Sequence, residues 1–105
     1  MSDVYYTPAE YGLTSAGEID FSSGSYEFDI TAVWRDASGQ LYYADDSGCS
    51  CPSPFEGFRS LDDLTKATVT ELQEHLEARN GDDNGAYGFD RTGEIVDLIG
   101  RLVGA

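Results

Sequence analysis

The sequence predicts an α+β fold in which a three-stranded antiparallel β-meander, over about residues 18–45, precedes two or three helices. Apolar residues occupy every second position from 26 to 34, and the residues between them are polar except at Val33, which is the period of a half-buried strand. Beyond residue 60 the apolar residues recur every three or four positions instead, which is the period of an amphipathic helix. Residues 92–103 carry the clearest of these helical stripes.

The meander is expected to follow an N-terminal arm, residues 1–16, whose tyrosines, proline and glycine show no regular period. A first strand at 18–21 leads through a turn of serines and a glycine into the second strand. One face of the second strand carries Tyr26, Phe28, Ile30, Ala32 and Trp34. This strand is the strongest strand signal of the chain.

The opposite face of the second strand is polar, with Glu27 and Asp29 among its residues. Asp36-Ala37-Ser38-Gly39 predicts a hairpin turn, and residues 40–44 predict the returning third strand. Helices packed on one side of such a sheet cover only one face. We therefore expect the acidic face to meet water.

Helices are expected at about 60–64, 69–79 and 92–103, packed on one face of the sheet. The first is short enough to be a single turn. The second begins with a Thr-x-x-Glu capping box at 68–71, and Asn80-Gly81 predicts its end.

Gly100 lies inside the apolar stripe of the last helix. A glycine in a helix interior costs roughly 1 kcal/mol relative to alanine. Its presence predicts a close approach of another backbone at this position.

The composition predicts one small acidic domain, 1–105, with a formal net charge of −14 from 20 acidic and 6 basic residues. This charge opposes binding to nucleic acids and to anionic membranes, which both require basic residues. It suits a basic protein partner, a cation, or a role in solubility alone. The first residues lack a basic stretch followed by an apolar run, so no secretory signal is predicted and we expect a cytoplasmic location.

Cys49 and Cys51 are the only cysteines, and they lie in a loop rich in glycine, serine and proline that continues through Pro52 and Phe55. The loop is a candidate binding surface. Two thiolates supply half of a closed zinc site, and His75 with Asp45 or Asp46, or a second chain, would complete it. The alternatives are a redox pair and two structural thiols. We expect no cofactor, with zinc as the alternative.

The second predicted helix carries Glu71, Glu74 and Glu77 on its outer side, and this row is the other candidate binding surface. His75, the only histidine, lies among these carboxylates. No nucleophile motif accompanies it, so no catalytic residue is predicted.

Four segments of the N-terminal half resemble a family of small uncharacterised proteins of actinobacteriophages and their hosts. They are YTPAEYGL at 6–13, VWRD at 33–36, GQLYYA at 39–44 and DSGCSCPSPFE at 46–56. The resemblance implies a phage or prophage origin and the cytoplasm of a bacterial host. Because the family has no assigned activity, the resemblance implies no functional residues.

Three hypotheses of function follow. The first is a non-enzymatic, phage-encoded accessory protein that binds a host or phage protein, with mimicry of nucleic acid as one version. The second is a small structural domain stabilised by a metal at Cys49 and Cys51, and the third is a small α+β enzyme. Aromatic residues left exposed on the sheet would favour a homodimer.

Overall fold

A computed structural model describes the backbone of residues 4–21, 27–49, 55, 58, 60–87 and 91–104, and the side chains at these positions except 27, 49, 81–87 and 104. The described strands are β1 (Leu13–Asp20), β2 (Glu27–Asp36), β3 (Leu41–Cys49) and β4 (Thr65–Ala67). They form one antiparallel sheet in the order β1-β2-β3-β4. The helices are α1 (Val69–Tyr87) and α2 (Thr92–Gly104), with short 3-10 helices at Pro8–Tyr11 and Leu61–Asp63. The predicted α+β class and antiparallel meander are confirmed, but the sheet has a fourth strand.

Strand β1 begins at Leu13, inside the segment predicted as an N-terminal arm. The prediction missed this part of the strand because a bulge interrupts the alternation of apolar and polar residues. The register with β2 shifts by one residue between Ser15 and Gly17. As a result, Leu13 packs on one face of the sheet and Ile19 packs on the other, although the two are six residues apart. A bulge of this kind defeats a search for strict alternation.

The other two differences lie at the end of β3 and in β4. Strand β3 continues to Cys49, beyond the predicted boundary at about 45, because its pairing with β2 extends as far as Glu27. The carboxylates of Asp45 and Asp46 both accept hydrogen bonds within the protein. Strand β4 has only three residues, which are too few to show a period. It pairs with Leu41–Tyr43 of β3.

Helix α1 continues to Tyr87, so the predicted end at Asn80-Gly81 is wrong. The side chain of Asn80 instead caps the start of α2. Its Oδ1 accepts from the Arg91 backbone N–H at 2.8 Å, and its Nδ2 donates to Thr92 Oγ1 at 3.1 Å. The other two predicted helices are confirmed at Leu61–Asp63 and Thr92–Gly104. No helix in the described residues is both long and apolar enough to span a membrane.

Both α-helices pack on one face of the sheet, which we call the helix face. The apolar residues buried there come from the sheet and from both helices: Ile19, Phe21, Val33, Leu41, Ala67, Leu72, Leu76, Ile95, Leu98, Ile99 and Leu102. This is also the polar face of β2, since Asp29 and Thr31 alternate with the apolar residues of that strand. The expectation that the acidic face meets water is therefore wrong at Asp29, whose side chain is only 18% exposed.

The opposite face, which we call the arm face, is covered by irregular chain. Its buried residues are Val4, Leu13, Ile30, Ala32, Trp34, Tyr42, Ala44, Phe55 and Leu64. Trp34 Nε1 donates to the Val4 carbonyl at 2.9 Å, and the Val4 N–H donates to the Phe58 carbonyl at 2.9 Å. The N-terminal arm therefore takes the place that a second layer of helices would occupy.

Candidate functional site

Five side chains of the helix face form a polar cluster between the sheet and α1: Asp29, Thr31, Asp45, His75 and Arg79. Thr31 of β2 and Asp45 of β3 are cross-strand partners, and Asp29 lies on the same face two residues before Thr31. His75 and Arg79 are four residues apart on α1, so they project from one side of the helix. Pairing of the strands and the pitch of α1 therefore bring the five groups together.

Arg79 is the centre of the polar cluster. Its Nη1 donates to Thr31 Oγ1 at 2.7 Å and to Asp45 Oδ1 at 3.2 Å, while its Nη2 donates to Asp29 Oδ1. The guanidinium also lies 4.6 Å from the centre of the Phe21 ring, which is a cation–π contact. The fork geometry of arginine lets this one residue connect two strands to α1.

His75 extends the polar cluster toward the surface. Its Nε2 donates to Asp45, at 2.8 Å to Oδ2 and 3.1 Å to Oδ1, and its ring lies 4.3 Å from the Tyr43 ring. Burial, followed by the negative charges of Asp45 and Glu71, raises the pKa of Tyr43. The carboxylates of β3 and of the first turn of α1 therefore act on the same tyrosine.

The polar cluster fixes α1 on the sheet. The Thr31 hydroxyl is fully buried, donates to Asp45 and accepts from Arg79, so both of its hydrogen-bonding roles are used inside the protein. It is therefore not presented to a substrate as a nucleophile. No cavity is found in the described part of the chain.

The predicted row of glutamates is exposed on the outer side of α1, as the helical period requires. Glu71 forms the predicted capping box with Thr68, since Glu71 Oε1 accepts from the Thr68 N–H at 2.9 Å and Thr68 Oγ1 accepts from the Glu71 N–H at 3.1 Å. Glu77 accepts from Gln73 Nε2 at 3.1 Å. With Glu74, these residues define an acidic surface on the outer side of α1: Glu71, Glu74 and Glu77.

Phe55, predicted as a binding residue of the cysteine loop, lies in the core of the arm face. Phe55 is fully buried, and its ring centre lies 5.1 Å from that of Tyr5 and 5.7 Å from that of Trp34. Its N–H donates to Asp46 Oδ2 at 2.7 Å, and its φ of 61° is in the left-handed region. Phe55 therefore anchors the end of the loop in the arm face.

The remaining residues predicted in that loop lie at or beyond the edge of what is described. Cys49 is the last residue of β3, where its backbone alone is described, and Cys51 and Pro52 lie outside the described residues. Of the proposed metal ligands, the structure brings His75 and Asp45 together by a direct hydrogen bond. Among the described side chains, no three of the types His, Cys, Asp and Glu are arranged to hold a metal ion.

Comparison with known proteins identifies the family. Residues 2–105 match the model of a family described as "Domain of unknown function (DUF7574)". The chain belongs to this family. No curated protein and no solved structure matches it.

The sequence did not predict the polar cluster of this DUF7574 chain, apart from His75 and Asp45, which were named together as candidate metal ligands. Asp29 and Thr31 were assigned to a solvated face because a strand pattern shows which residues share a face but not what covers it. Arg79 looked like an ordinary residue at a helix end. A usable signal was the concentration of polar side chains on one face of β2 in a strand whose other face is wholly apolar.

Proposed function

We propose that this DUF7574 protein is a non-enzymatic binding protein whose acidic surface recognises a basic partner protein. The observation that carries the proposal is that three arginines donate hydrogen bonds within the fold instead of extending into solvent. Arg35 donates to the Leu102 carbonyl at 3.3 Å, Arg79 is the centre of the polar cluster, and Arg91 donates to the Asp20 carbonyl at 2.9 Å. These three arginines are only partly exposed.

The exterior is therefore left with little positive charge. Among the described side chains only Lys66 and Arg101 are exposed basic groups. The exposed acidic side chains are Glu10, Glu18, Asp45, Asp62, Asp63, Glu71, Glu74, Glu77, Glu94 and Asp97. Such a surface attracts a basic protein over a distance set by the ionic strength, and it repels phosphate groups.

The acidic surface on α1 is the part best suited to a specific contact. It sits on a helix that the polar cluster and the core residues Leu72 and Leu76 hold against the sheet. A charged row on a fixed helix loses less conformational freedom on binding than one on a loose segment. The N-terminal half of the protein resembles actinobacteriophage proteins. This resemblance favours an accessory role in the cytoplasm of an infected bacterium, with a host or phage protein as the partner.

The proposal is tested by capture of the tagged protein's partner from nuclease-treated host lysate, followed by binding measurements with the purified pair. Glu74→Gln combined with Glu77→Gln should weaken binding severalfold and reduce its salt dependence, because rim charges act mainly by long-range attraction. Asp62→Asn combined with Asp63→Asn, which removes the same charge from the 3-10 helix, is the matched control. Neither pair includes the capping residue Glu71.

Two results would overturn the proposal. One is binding that is unchanged in about 0.5 M salt, where charges are screened beyond a few ångströms. The other is equal loss of affinity in the two double variants, which would mean that net charge alone matters. Displacement of the protein from its partner by duplex DNA would assign the acidic surface to mimicry of nucleic acid.

A further inference from the structure

The outward side of α2 carries apolar residues that nothing in the described chain covers. Val96 is 65% exposed and Val103 is 67% exposed. They are seven residues apart, which is two turns, so they lie on the same side of the helix. Gly93 and Gly100 lie on that side as well, and we call these four residues the α2 outer face.

Gly100 was expected to mark a close approach of another backbone, and no described part of this chain makes that approach. A Cβ atom built at Gly100 meets nothing within 4 Å, and the same holds at Gly93. By contrast, a Cβ at Gly17 would lie 2.8 Å from Leu98 Cδ1, so the glycine of β1 does serve packing inside the protein. Gly100 lowers the stability of the helix, and no packing contact in the described chain compensates for this loss.

The charged residues beside the α2 outer face are of both signs, unlike the row of glutamates on α1. Asp97 and Arg101 approach to 3.5 Å, and both side chains are well exposed. Helix α1, for comparison, places three exposed glutamates on its first turns. Two molecules that each carry a charge of −14 meet the least repulsion where the local charge is close to zero.

We propose that the α2 outer face binds the same face of a second copy of this chain, with the two helices antiparallel about a two-fold axis. With the axis between residues 99 and 100, Val96 of each copy lies opposite Val103 of the second copy. Gly100 then lies next to the axis, where the absence of a side chain lets the two helices approach closely. A two-fold contact is self-complementary, so one pairing generates both halves.

The charged residues at one edge of the α2 outer face agree with this register. Asp97 and Arg101 are well exposed, and they follow Val96 and Gly100 by one position each. In the proposed pair, Arg101 of one copy lies opposite a residue that is next to Asp97 in the other copy. The arrangement thus matches opposite charges as well as valine with valine.

The dimer is expected to be weak. Two valines and two glycines per copy form a patch well below the roughly 800 Å² per partner of a stable interface. A dissociation constant on the order of 0.1 mM is in keeping with such a contact. The proposal replaces the earlier reason for a homodimer, because Trp34 and Tyr42 of the sheet are buried.

Sedimentation equilibrium of the full chain, up to about 1 mM and in about 0.05 M and 0.5 M sodium chloride, tests the proposal. We expect a monomer–dimer equilibrium that shifts toward the dimer in the higher salt, because screening weakens the repulsion between two acidic molecules. Val96→Ser combined with Val103→Ser should raise the dissociation constant roughly tenfold or more. Leu61→Ser, at an exposed leucine outside α2, is the matched control and should leave it unchanged.

Exchange of the two charges tests the register directly. Asp97→Arg alone and Arg101→Asp alone each place like charges across the two-fold axis and should weaken the dimer. The double variant restores opposite charges and the net charge of the chain, so it should recover the dimer. A chain that stays monomeric throughout, or a dimer that is indifferent to the valine pair or to the single charge changes, would overturn the proposal.

This inference is independent of the proposed binding to a basic partner, and salt separates the two. Attraction to a basic partner weakens as salt rises, whereas the α2 contact strengthens. The Val96 and Val103 variants should leave partner binding unchanged, and the Glu74 and Glu77 variants should leave the dimer intact.

Discussion

The two faces of the sheet are covered in opposite ways. The arm face is aromatic and is covered by chain without long helices, in which Val4, Phe55 and Phe58 close over Trp34. The helix face is covered by α1 and α2, yet it contains the polar cluster around Arg79. The strongest apolar pattern of the sequence therefore predicts which residues are buried, but not what kind of structure buries them.

The two faces differ in the kind of contact that holds the covering chain in place. On the arm face, ring contacts such as those of Phe55 with Tyr5, Trp34 and Phe58 bury apolar area, and their geometry tolerates an irregular backbone. On the helix face, directional bonds from Arg79 hold α1 at one position along β2 and β3. The arm face thus contributes mainly hydrophobic stabilisation, and the helix face combines it with positional specificity.

The largest effect is expected on the arm face. Trp34→Ala should reduce the free energy of unfolding by about 3–5 kcal/mol, because it leaves a cavity under the arm and removes the bond to the Val4 carbonyl. Urea unfolding followed by far-ultraviolet circular dichroism measures it. Trp34→Phe keeps most of the apolar contact and should cost about half as much. A loss below roughly 1 kcal/mol for Trp34→Ala would show that the arm does not seal this face.

A smaller loss is expected on the helix face. Arg79→Met leaves the carboxylates of Asp29 and Asp45 near each other without their shared cation, and it should cost about 2 kcal/mol. This is less than the 3–5 kcal/mol or so of a fully buried pair, because the side chains keep some contact with water.

Arg79→Lys is the control for the polar cluster, since lysine keeps the positive charge but lacks the two Nη groups that donate to separate acceptors. It should recover only part of the stability. A double-mutant cycle with Asp29→Asn should give a coupling energy of about 1 kcal/mol. Full recovery in the lysine variant would mean that charge alone, and not directional bonding, holds α1.

Two glycines allow the packing of α2 to be tested on its inner side, at Gly17 of β1, and on its outer side, at Gly100. Gly17→Ala forces a side chain onto a φ of 141° and toward Leu98, so it should destabilise by about 1–3 kcal/mol. Gly100→Ala occupies open space on α2 and should stabilise by about 1 kcal/mol. Thermal unfolding at low micromolar protein, where the proposed dimer is absent, compares them. Equal effects would contradict the assignment of Gly17 to close packing.

The smallest effect is expected at the hairpin between β2 and β3. A hydrogen bond from the Ser38 hydroxyl, with further ones from the Gln40 and Ser38 N–H groups and from Tyr42, lowers the pKa of Asp36. Because the pKa is lower in the folded state, this contribution is present above the ordinary aspartate pKa of about 3.9. It is lost as the pH falls through the folded value.

Ser38→Ala removes the largest cause of that lowered pKa. The difference in unfolding free energy between wild type and Ser38→Ala should therefore be constant near neutral pH and shrink as the pH falls below the ordinary aspartate pKa of about 3.9. Urea titrations at several pH values measure it. In an Asp36→Asn background the serine substitution should show no such pH dependence, and a dependence that persisted would exclude Asp36 as its source.

Much of the fold could be predicted because its signals are local. The alternation in β2, the Asp36 turn, the capping box at Thr68 and the stripe of α2 each depend on neighbouring residues, and the structure contains all of them. The bulge at Gly17 and the three residues of β4 could not be predicted, since one disrupts the period and the other is too short for one. The acidic row on α1 followed from helical spacing alone.

The polar cluster could not be predicted because it depends on which layer covers which face. Thr31 and Asp45 meet through strand register, and Arg79 reaches them only because α1 lies over the polar side of β2. Phe55 was placed in a binding loop because its neighbours are small and polar, although its ring is buried in the arm face. In both cases the deciding contacts join residues far apart in the chain.

The division of the chain between the two faces has a consequence for its synthesis. Among the described residues, those buried on the arm face all lie between Val4 and Leu64, whereas the helix face requires residues as late as Leu102. Because a chain leaves the ribosome from its N-terminus, the aromatic side can close while α1 and α2 are still being made. Ile19, Phe21 and Val33 therefore lack the layer that buries them until both helices, and with them Arg79 and the rest of the polar cluster, have been made.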